Sequence, residues 1–99
     1  MLRLVCYDIE NDKYRNKLAK KLEAFGFERV QRSVFCGSHP LHQWEKCRSQ
    51  LLAFHEKYGK EDDKIYVMVI SPRMLKAMFT VGKPPDIDRI LDKIVTFWV

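Results

Sequence analysis

The chain has 99 residues, a hydrophobic fraction of 46% and a formal net charge of +5, which together predict one small globular domain and exclude a disordered polypeptide. No apolar stretch approaches the roughly 20 residues of a transmembrane helix, and the first residues do not resemble a signal peptide. We therefore expect a cytoplasmic protein. A domain of this size buries a limited core, so packing against a second copy would add stability.

Positive charge is concentrated in one segment. Between Lys13 and Arg32, seven basic residues stand against two acidic ones, an excess of five, while the rest of the chain is close to neutral. Such a segment could hold a phosphodiester backbone, although charge runs more often mark a solvated helix face. The acidic residues of Glu61–Asp63 precede a predicted strand, and we expect them to be solvated.

The first predicted element begins at Leu2 in the sequence LRLVCYDIEND. Alternating residues of β-favouring type predict a strand that is buried on at least one face and lies in the centre of a sheet. Asp8 falls at the carboxyl end of this strand, where a side chain leaves the sheet and meets solvent. Asp8 is therefore the first candidate for chemistry.

A basic helix and an extended segment follow. Asn11 or Asp12 is the predicted N-cap, apolar residues recur at helical spacing, and Gly26 is the predicted stop. Phe27–Gly37 is rich in valine and phenylalanine and reads as one bent strand or as two short strands broken near Gln31–Arg32. The residue pattern leaves both arrangements open.

The second half of the chain contains a helix and two apolar segments. Residues recurring every three or four positions after Pro40 predict the helix. Lys64–Ile70 is almost continuously apolar, which favours an internal strand. Arg73–Val81 fits either a short helix or a strand. The closing sequence IVTFWV, Ile94–Val99, predicts a strand that fills an edge of its own sheet or, as we favour, adds to a neighbour's.

The cysteines and histidines do not form a strong metal-binding pattern. Cys6, Cys36 and Cys47 lack C-x-x-C spacing, so reduced structural thiols are expected. His39 and His42 flank a proline without a nearby carboxylate, so we expect surface histidines there.

The order strand, helix, strand, strand, helix, strand is that of an α+β, ferredoxin-like βαββαβ sandwich, here with an additional C-terminal strand. We expect a ferredoxin-like domain over residues 1–82 and a C-terminal segment over residues 83–99 that pairs with a partner subunit. The fold hosts many functions and does not identify one.

Several motifs resemble one known family. They are YDI at Tyr7–Ile9, DKYRNKLAKKLEAFGFERVQ at Asp12–Gln31 and SVFCG at Ser33–Gly37, followed more loosely by DDKIYVMVI and VGKPP. Their order and spacing resemble the CRISPR-associated adaptation endonucleases, the second in the numbered Cas series, over most of the chain.

This resemblance implies a symmetric homodimer whose C-terminal strand pairs with the other subunit. It also implies a role in CRISPR spacer acquisition beside an integrase subunit, and a metal-dependent endonuclease that cuts RNA or double-stranded DNA with Mg²⁺ or Mn²⁺.

The resemblance places the family's metal-binding aspartate on Asp8. The other implied catalytic positions are Tyr7, Ser33 and Phe35, and the implied nucleic-acid contacts are Arg15, Lys17 and Arg29, which Lys13 and Arg32 adjoin. Cys36 departs from the family, which often has glutamate after SVF. If that glutamate assists catalysis in relatives, catalysis here is weaker.

One aspartate alone is a poor Mg²⁺ site, which is a physical argument for a dimer. A twofold axis that brought two Asp8 side chains together would supply two carboxylates. Two alternatives stay open: a non-catalytic dimer scaffold that bridges the integrase and holds DNA, and a toxin-type ribonuclease of similar fold. Deleting Val95–Val99 should loosen the dimer if the terminal strand is exchanged.

Overall fold

The computed structural model describes the backbone of residues 1–97 and the side chains of residues 1–94. Its elements are β1 (Leu2–Asp8), α1 (Asp12–Ala24), β2 (Glu28–Gln31), β3 (Val34–Ser38), α2 (Leu41–Tyr58), β4 (Lys64–Ile70), α3 (Pro72–Lys76) and α4 (Ile87–Phe97). The four strands form one antiparallel sheet in the order β2-β3-β1-β4. This is the predicted ferredoxin-like arrangement, with β1 in the interior of the sheet as expected.

The main core lies between one face of the sheet and helices α1 and α2. Val5 of β1 and Phe35 of β3 project from the sheet onto this side, and Leu18 and Leu22 of α1 cover them, all without solvent exposure. Cys47 of α2 is buried in the same cluster. The helical spacing of these residues thus produces the predicted packing.

A second, smaller core covers the opposite face of the sheet. Leu2 and Cys36 project to this side, where they pack with Leu75 of α3 and with Ile90 and Ile94 of α4. Both faces of the sheet are therefore covered, at least in part, by helices of the same chain.

The ends of α1 follow the sequence signals. The Asn11 side chain accepts a hydrogen bond from the backbone N–H of Tyr14 at 2.9 Å, which satisfies one of the free donors of the first turn. Gly26, just beyond the helix, has a φ of 82°, a conformation that glycine adopts without steric strain.

The extended segment after α1 forms two strands and not one bent strand. Gln31 pairs with Val34, so Arg32 and Ser33 form the tip of a tight hairpin, and the β2–β3 register shifts between Arg29 and Gln31. The predicted break near Gln31–Arg32 was correct to within a residue.

The prediction that Lys64–Ile70 is internal was wrong. β4 lies at the edge of the sheet and pairs with β1 on one side; within residues 1–97 no strand occupies its other side. Tyr66, Val67, Met68 and Val69 are all exposed. The apolar sequence of β4 therefore does not indicate burial inside its own sheet. It marks a surface that one copy of the chain leaves exposed.

The predicted C-terminal strand was also wrong for the part that the structure describes. Ile87–Phe97 is the helix α4, while Trp98 and Val99 lie outside the described residues. Ile87, Ile90, Leu91 and Ile94 follow the helical period and pack on the sheet, so tertiary contacts override the β preference of the β-branched residues. The segment after residue 82 thus packs back onto the first domain, and its pairing with a partner subunit stays a prediction.

Three smaller expectations have clear outcomes. The first part of Arg73–Val81 is helical, within α3. The three cysteines are free thiols, as expected. His39 is not a surface histidine: it is buried, and its Nε2 lies 2.6 Å from the carbonyl oxygen of Phe25. No helix in the described part of the chain is long and apolar enough to cross a membrane.

Candidate functional site

Asp8 lies where the sequence predicted, as the exposed last residue of β1. Lys64 is its cross-strand neighbour on β4, so a cation lies next to the carboxylate. Among residues 1–97 the Asp8 side chain makes no hydrogen bond and no ion pair. Its oxygens are therefore available to a ligand that arrives from solvent.

The β2–β3 hairpin is tied to the end of β1. The backbone N–H of Tyr7 donates to the carbonyl oxygen of Ser33 at 3.1 Å, and the Tyr7 hydroxyl donates to the carbonyl oxygen of Arg32 at 3.3 Å. Ser33 is therefore held next to the strand end that carries Asp8. The structure brings together three predicted site residues, Tyr7, Asp8 and Ser33.

Tyr7 and Phe35 are structural parts of this site. Phe35 has no exposed surface and Tyr7 only 6%. Their rings stack with centroids 6.1 Å apart, and burial raises the pKa of the Tyr7 hydroxyl although Arg29 and Arg15 act in the opposite direction. A direct catalytic role for the Phe35 ring, implied by the resemblance, does not fit its burial. The two rings instead support the strand end under Asp8.

Arg29 extends this stack to the surface. Its guanidinium carbon lies 4.9 Å from the centroid of the Phe35 ring, and its Nη2 lies 3.8 Å from a carboxylate oxygen of Glu23. The Arg29 side chain is 47% exposed, so it is positioned by an aromatic face and still open to an anion. This geometry suits the predicted contact with a phosphate.

Arg15 is engaged in the loop after Asp8, and its contact with nucleic acid stays a prediction. Its guanidinium donates to the carbonyl oxygens of Ile9 at 2.9 Å and Glu10 at 3.3 Å, and it pairs with the carboxylate of Asp12. The side chain thus clamps the loop that leads from Asp8 into α1. Most of its donors are engaged, so Arg15 acts first as a positioning residue for the site.

The other predicted cations lie outside the Asp8 loop. Lys13 and Arg32 are exposed, Arg32 at the hairpin tip. The Lys17 ammonium stands 5.6 Å from the centroid of the Tyr58 ring, which draws it toward α2. Lys13, Lys17 and Lys20 share one face of α1 because they are spaced by four and three residues. They form a basic ridge along α1 that begins just after the Asp8 loop.

One copy of the chain offers an incomplete metal site. Asp8 is a hard oxygen ligand of the kind that Mg²⁺ prefers, and Mg²⁺ in proteins is often held by one or two carboxylates with water in the other positions. In the described residues, however, no group of three or more histidine, cysteine, aspartate or glutamate side chains could enclose a metal. Asp8 fits as one ligand of a water-rich site, and a second carboxylate would have to come from another chain.

Asp63 is a site residue that sequence reasoning missed. Its carboxylate accepts hydrogen bonds from the backbone N–H groups of Glu10 at 3.3 Å and Lys60 at 2.9 Å. It therefore fixes the loop after Asp8 through the N–H of Glu10, while Arg15 holds the carbonyl oxygen of the same residue. The run of acids at residues 61–63 gave no signal that one of them had a partner 53 residues away.

The chain matches the family described as CRISPR associated protein Cas2 over residues 1–78. A relative named CRISPR-associated endoribonuclease Cas2 1 from Archaeoglobus fulgidus is 60% identical over 98 residues, covering 98% of this chain and 99% of that protein. A protein of the same name from Methanospirillum hungatei is 34% identical over 92 residues, covering 92% and 94% of the two chains.

Solved structures agree with this assignment. The crystal structure of Streptococcus pyogenes Cas2 at pH 6.5 matches with a TM-score of 0.67 and 26% identity, over 83% of this chain and all of that one. A chain of a partial Cas6-RT-Cas1–Cas2 complex matches with a TM-score of 0.69 and 24% identity over 86% and 94%, which supports the fold. With the sheet order, the exposed Asp8 and these matches taken together, the chain belongs to the CRISPR-associated Cas2 family.

Proposed function

We propose that this chain acts in CRISPR adaptation as a symmetric homodimer and that it is a metal-dependent endoribonuclease with Asp8 as the metal ligand. The observation that carries the proposal is the unpaired, exposed Asp8 carboxylate at the end of a strand whose neighbouring loop is fixed by Arg15 and Asp63. Both relatives described above are named endoribonucleases, which supports RNA as the first substrate to test.

The incomplete ligand set of one copy supports the proposed dimer. A symmetric partner would bring a second Asp8 to the same axis. Tyr66 and Met68, the exposed residues of β4 on the sheet face opposite α1 and α2, support an additional subunit contact, because exposed apolar patches often mark protein interfaces.

Within the site, each described residue has a physical task. Asp8 would hold the cation, the backbone of Ser33 holds the hairpin against β1, and the exposed guanidinium of Arg29 would contact a phosphate oxygen. A divalent cation bound at Asp8 supplies a more acidic water and charge stabilisation at the phosphate. Lys64, opposite Asp8, adds positive charge where negative charge develops in the reaction.

The test compares cleavage of labelled RNA and duplex DNA by the wild-type chain and by Asp8→Asn, with Mg²⁺, Mn²⁺ or excess chelator. Asp62→Asn is the matched control, because Asp62 is an exposed acid in the turn before β4. Metal-dependent cleavage that Asp8→Asn abolishes and Asp62→Asn retains would support the proposal. Equal cleavage by the Asp8 variant would overturn the catalytic assignment.

A second candidate function is a non-catalytic scaffold that holds a DNA duplex and bridges integrase subunits. The basic ridge of α1 favours it, because cations along one helix face can hold a phosphate backbone without any chemistry at Asp8. In this case Asp8→Asn leaves duplex binding unchanged, whereas Lys13→Gln combined with Lys20→Gln weakens it. Losing two phosphate contacts would reduce the slope of log affinity against log salt by about 2.

A further inference from the structure

A groove of about 800 Å³ lies between α2 and the edge strand β4, on the α1–α2 side of the sheet. Its lining reaches Lys64, the residue that pairs with Asp8 across the two strands. Its walls are mainly apolar, with Trp44, Leu51 and Leu52 on α2 and Val67 and Val69 on β4. The groove is thus a concave surface with the apolar lining that ligand sites commonly have.

Arg3 is the unusual member of this lining. It belongs to the central strand β1 and is only 6% exposed. Its guanidinium carbon stands 4.5 Å from the centroid of the Trp44 ring, and its Nη2 lies 3.9 Å from the sulfur of Met1. The Nη1 atom is buried and has no hydrogen-bond partner within the described residues. No carboxylate there forms an ion pair with Arg3.

A buried guanidinium without an anion is unfavourable in a folded protein. A charge removed from water needs a partner of opposite sign and acceptors for its N–H groups. The Trp44 face compensates only in part. Burial accordingly lowers the pKa of Arg3, although nearby Cys47 acts in the opposite direction.

The rest of the groove adds to its positive character. Arg48 and Lys64 stand at its margins against a single acid, Glu56. An anion with apolar neighbours would fill the groove and pair with Arg3, and a carboxylate matches the planar fork of a guanidinium. The backbone of a nucleic acid is a poorer match, because phosphates are bound by exposed cations and this cation lies at the bottom of an apolar groove.

We propose that the groove between α2 and β4 binds a short segment of another protein in which a carboxylate, next to a bulky apolar side chain, pairs with Arg3. The apolar side chain packs against Trp44 and Leu52. The unpaired edge of β4 runs along the same groove and offers backbone groups to the bound segment. The residues that hold the segment, Arg3, Trp44 and Leu52, are not those assigned to the chemistry at Asp8, so binding does not depend on nuclease activity.

The first experiment selects binders to the full chain from a random ten-residue peptide library. We expect the selected peptides to share an aspartate, a glutamate or a free C-terminus beside a bulky apolar residue. Affinity is then measured by fluorescence polarisation for one selected peptide and for its amide counterpart, Asp→Asn, Glu→Gln or a blocked C-terminus. We expect the amide to bind about tenfold more weakly or worse, since hydrogen bonds to charged groups are among the strong ones. Selected peptides without a carboxylate, or an empty selection, would overturn the proposal.

Substitutions in the groove test whether the peptide binds there. Arg3→Met keeps an apolar stem and removes the charge, and it should reduce peptide affinity about tenfold or more, whereas Arg48→Met, at the exposed rim, should reduce it less than about threefold. If Arg3→Met does not fold, Leu52→Glu serves in its place, because Leu52 is 63% exposed and a carboxylate there would repel the peptide. Unchanged affinity in either folded variant would contradict the proposal.

Two further results would show that the groove binds something other than a segment of another protein. Displacement of the peptide by a 20-nucleotide RNA at physiological salt would assign the groove to nucleic acid. A change in sedimentation mass on Arg3→Met would assign it to a second copy of this chain. Either result would overturn binding of a foreign protein segment.

Discussion

The carboxylate of Asp63 accepts a hydrogen bond from the backbone N–H of Glu10 at 3.3 Å, so the turn before β4 is joined to the loop that follows Asp8. The second oxygen of the same carboxylate accepts from the N–H of Lys60 at 2.9 Å. One side chain therefore closes its own turn and fixes the edge of the candidate site.

Replacing Asp63 should thus affect both stability and the site. We expect Asp63→Ala to lower the free energy of unfolding by about 1 to 2 kcal/mol, since it removes acceptors from two backbone donors. Asp62→Ala, one position earlier and exposed, should stay within about 0.5 kcal/mol of the wild type. Urea denaturation of the three proteins checks this, and equal losses in both variants would show that the Asp63 contacts do not stabilise the fold.

Arg29 should contribute more to nucleic-acid binding than to stability. Arg29→Gln removes the cation over Phe35 and should reduce the free energy of unfolding by less than about 1 kcal/mol, because the contact is half exposed. It should also weaken RNA binding and reduce the salt slope by about 1. Glu23→Gln breaks the same ion pair but leaves the cation free, so its RNA binding should be as strong as that of the wild type or stronger. Titrations at several salt concentrations test both variants; weaker binding by Glu23→Gln would argue against a phosphate contact.

Cys36 is fully buried beneath α4, and burial raises the pKa of its thiol to about 11. Cys36→Glu would place a carboxylate among Leu75, Ile90 and Ile94. We expect it to lower the free energy of unfolding by about 3 kcal/mol or more, or to detach α4, because an unpaired charge is poorly tolerated inside an apolar cluster. Cys36→Ala should lose about 1 kcal/mol. Guanidinium denaturation and helix content by circular dichroism measure both effects, and a stable glutamate variant with full helix content would refute this account of the position.

His39 should make the fold sensitive to mild acid. Burial lowers the pKa of its imidazole below the ordinary 6.5, and nearby Arg3 and the N-terminal amino group act in the same direction, against the hydrogen bond to Phe25. The unfolded chain then binds a proton more readily than the folded chain, so the free energy of unfolding falls as the pH drops below about 6.5. Above that pH the imidazole is neutral in both states and this effect disappears.

The test is urea denaturation between about pH 5 and pH 8 for the wild type and for His39→Gln, whose amide can still donate to the Phe25 carbonyl. The variant should lose less stability than the wild type on acidification. Identical pH dependence in the two proteins would show that His39 does not cause the effect.

The parts of the fold that the sequence predicted are those with local signals. The N-cap at Asn11, the glycine at Gly26 and the hairpin tip at Arg32 follow from residue type and spacing. Asp8 could be placed at a strand end because the alternation of β1 stops there. These features depend on near neighbours in the chain, and the structure confirms them.

Other features depend on contacts between distant segments. The apolar sequence of β4 is the same whether its side chains face a helix, a partner or solvent, so the edge position of β4 could not be predicted from the sequence. The closing segment after Ile87 fits both a strand and a helix, and packing against the sheet decides for the helix. The contacts of Arg15 with the carbonyl groups of Ile9 and Glu10 could not be predicted either, because these groups become its neighbours only when the loop folds.

Helix α4 also limits how a second sheet can approach. Ile90 and Ile94 cover Cys36 on one half of the face, while Tyr66 and Met68 of β4 remain exposed on the other half. The sheet of a second subunit can bind only to the half of the face that α4 leaves open, or to the whole face after α4 has detached from the sheet. In the second case, association of the subunits is slow because it requires a conformational change. At high protein concentration the observed association rate would then reach a plateau at the rate at which α4 detaches from the sheet.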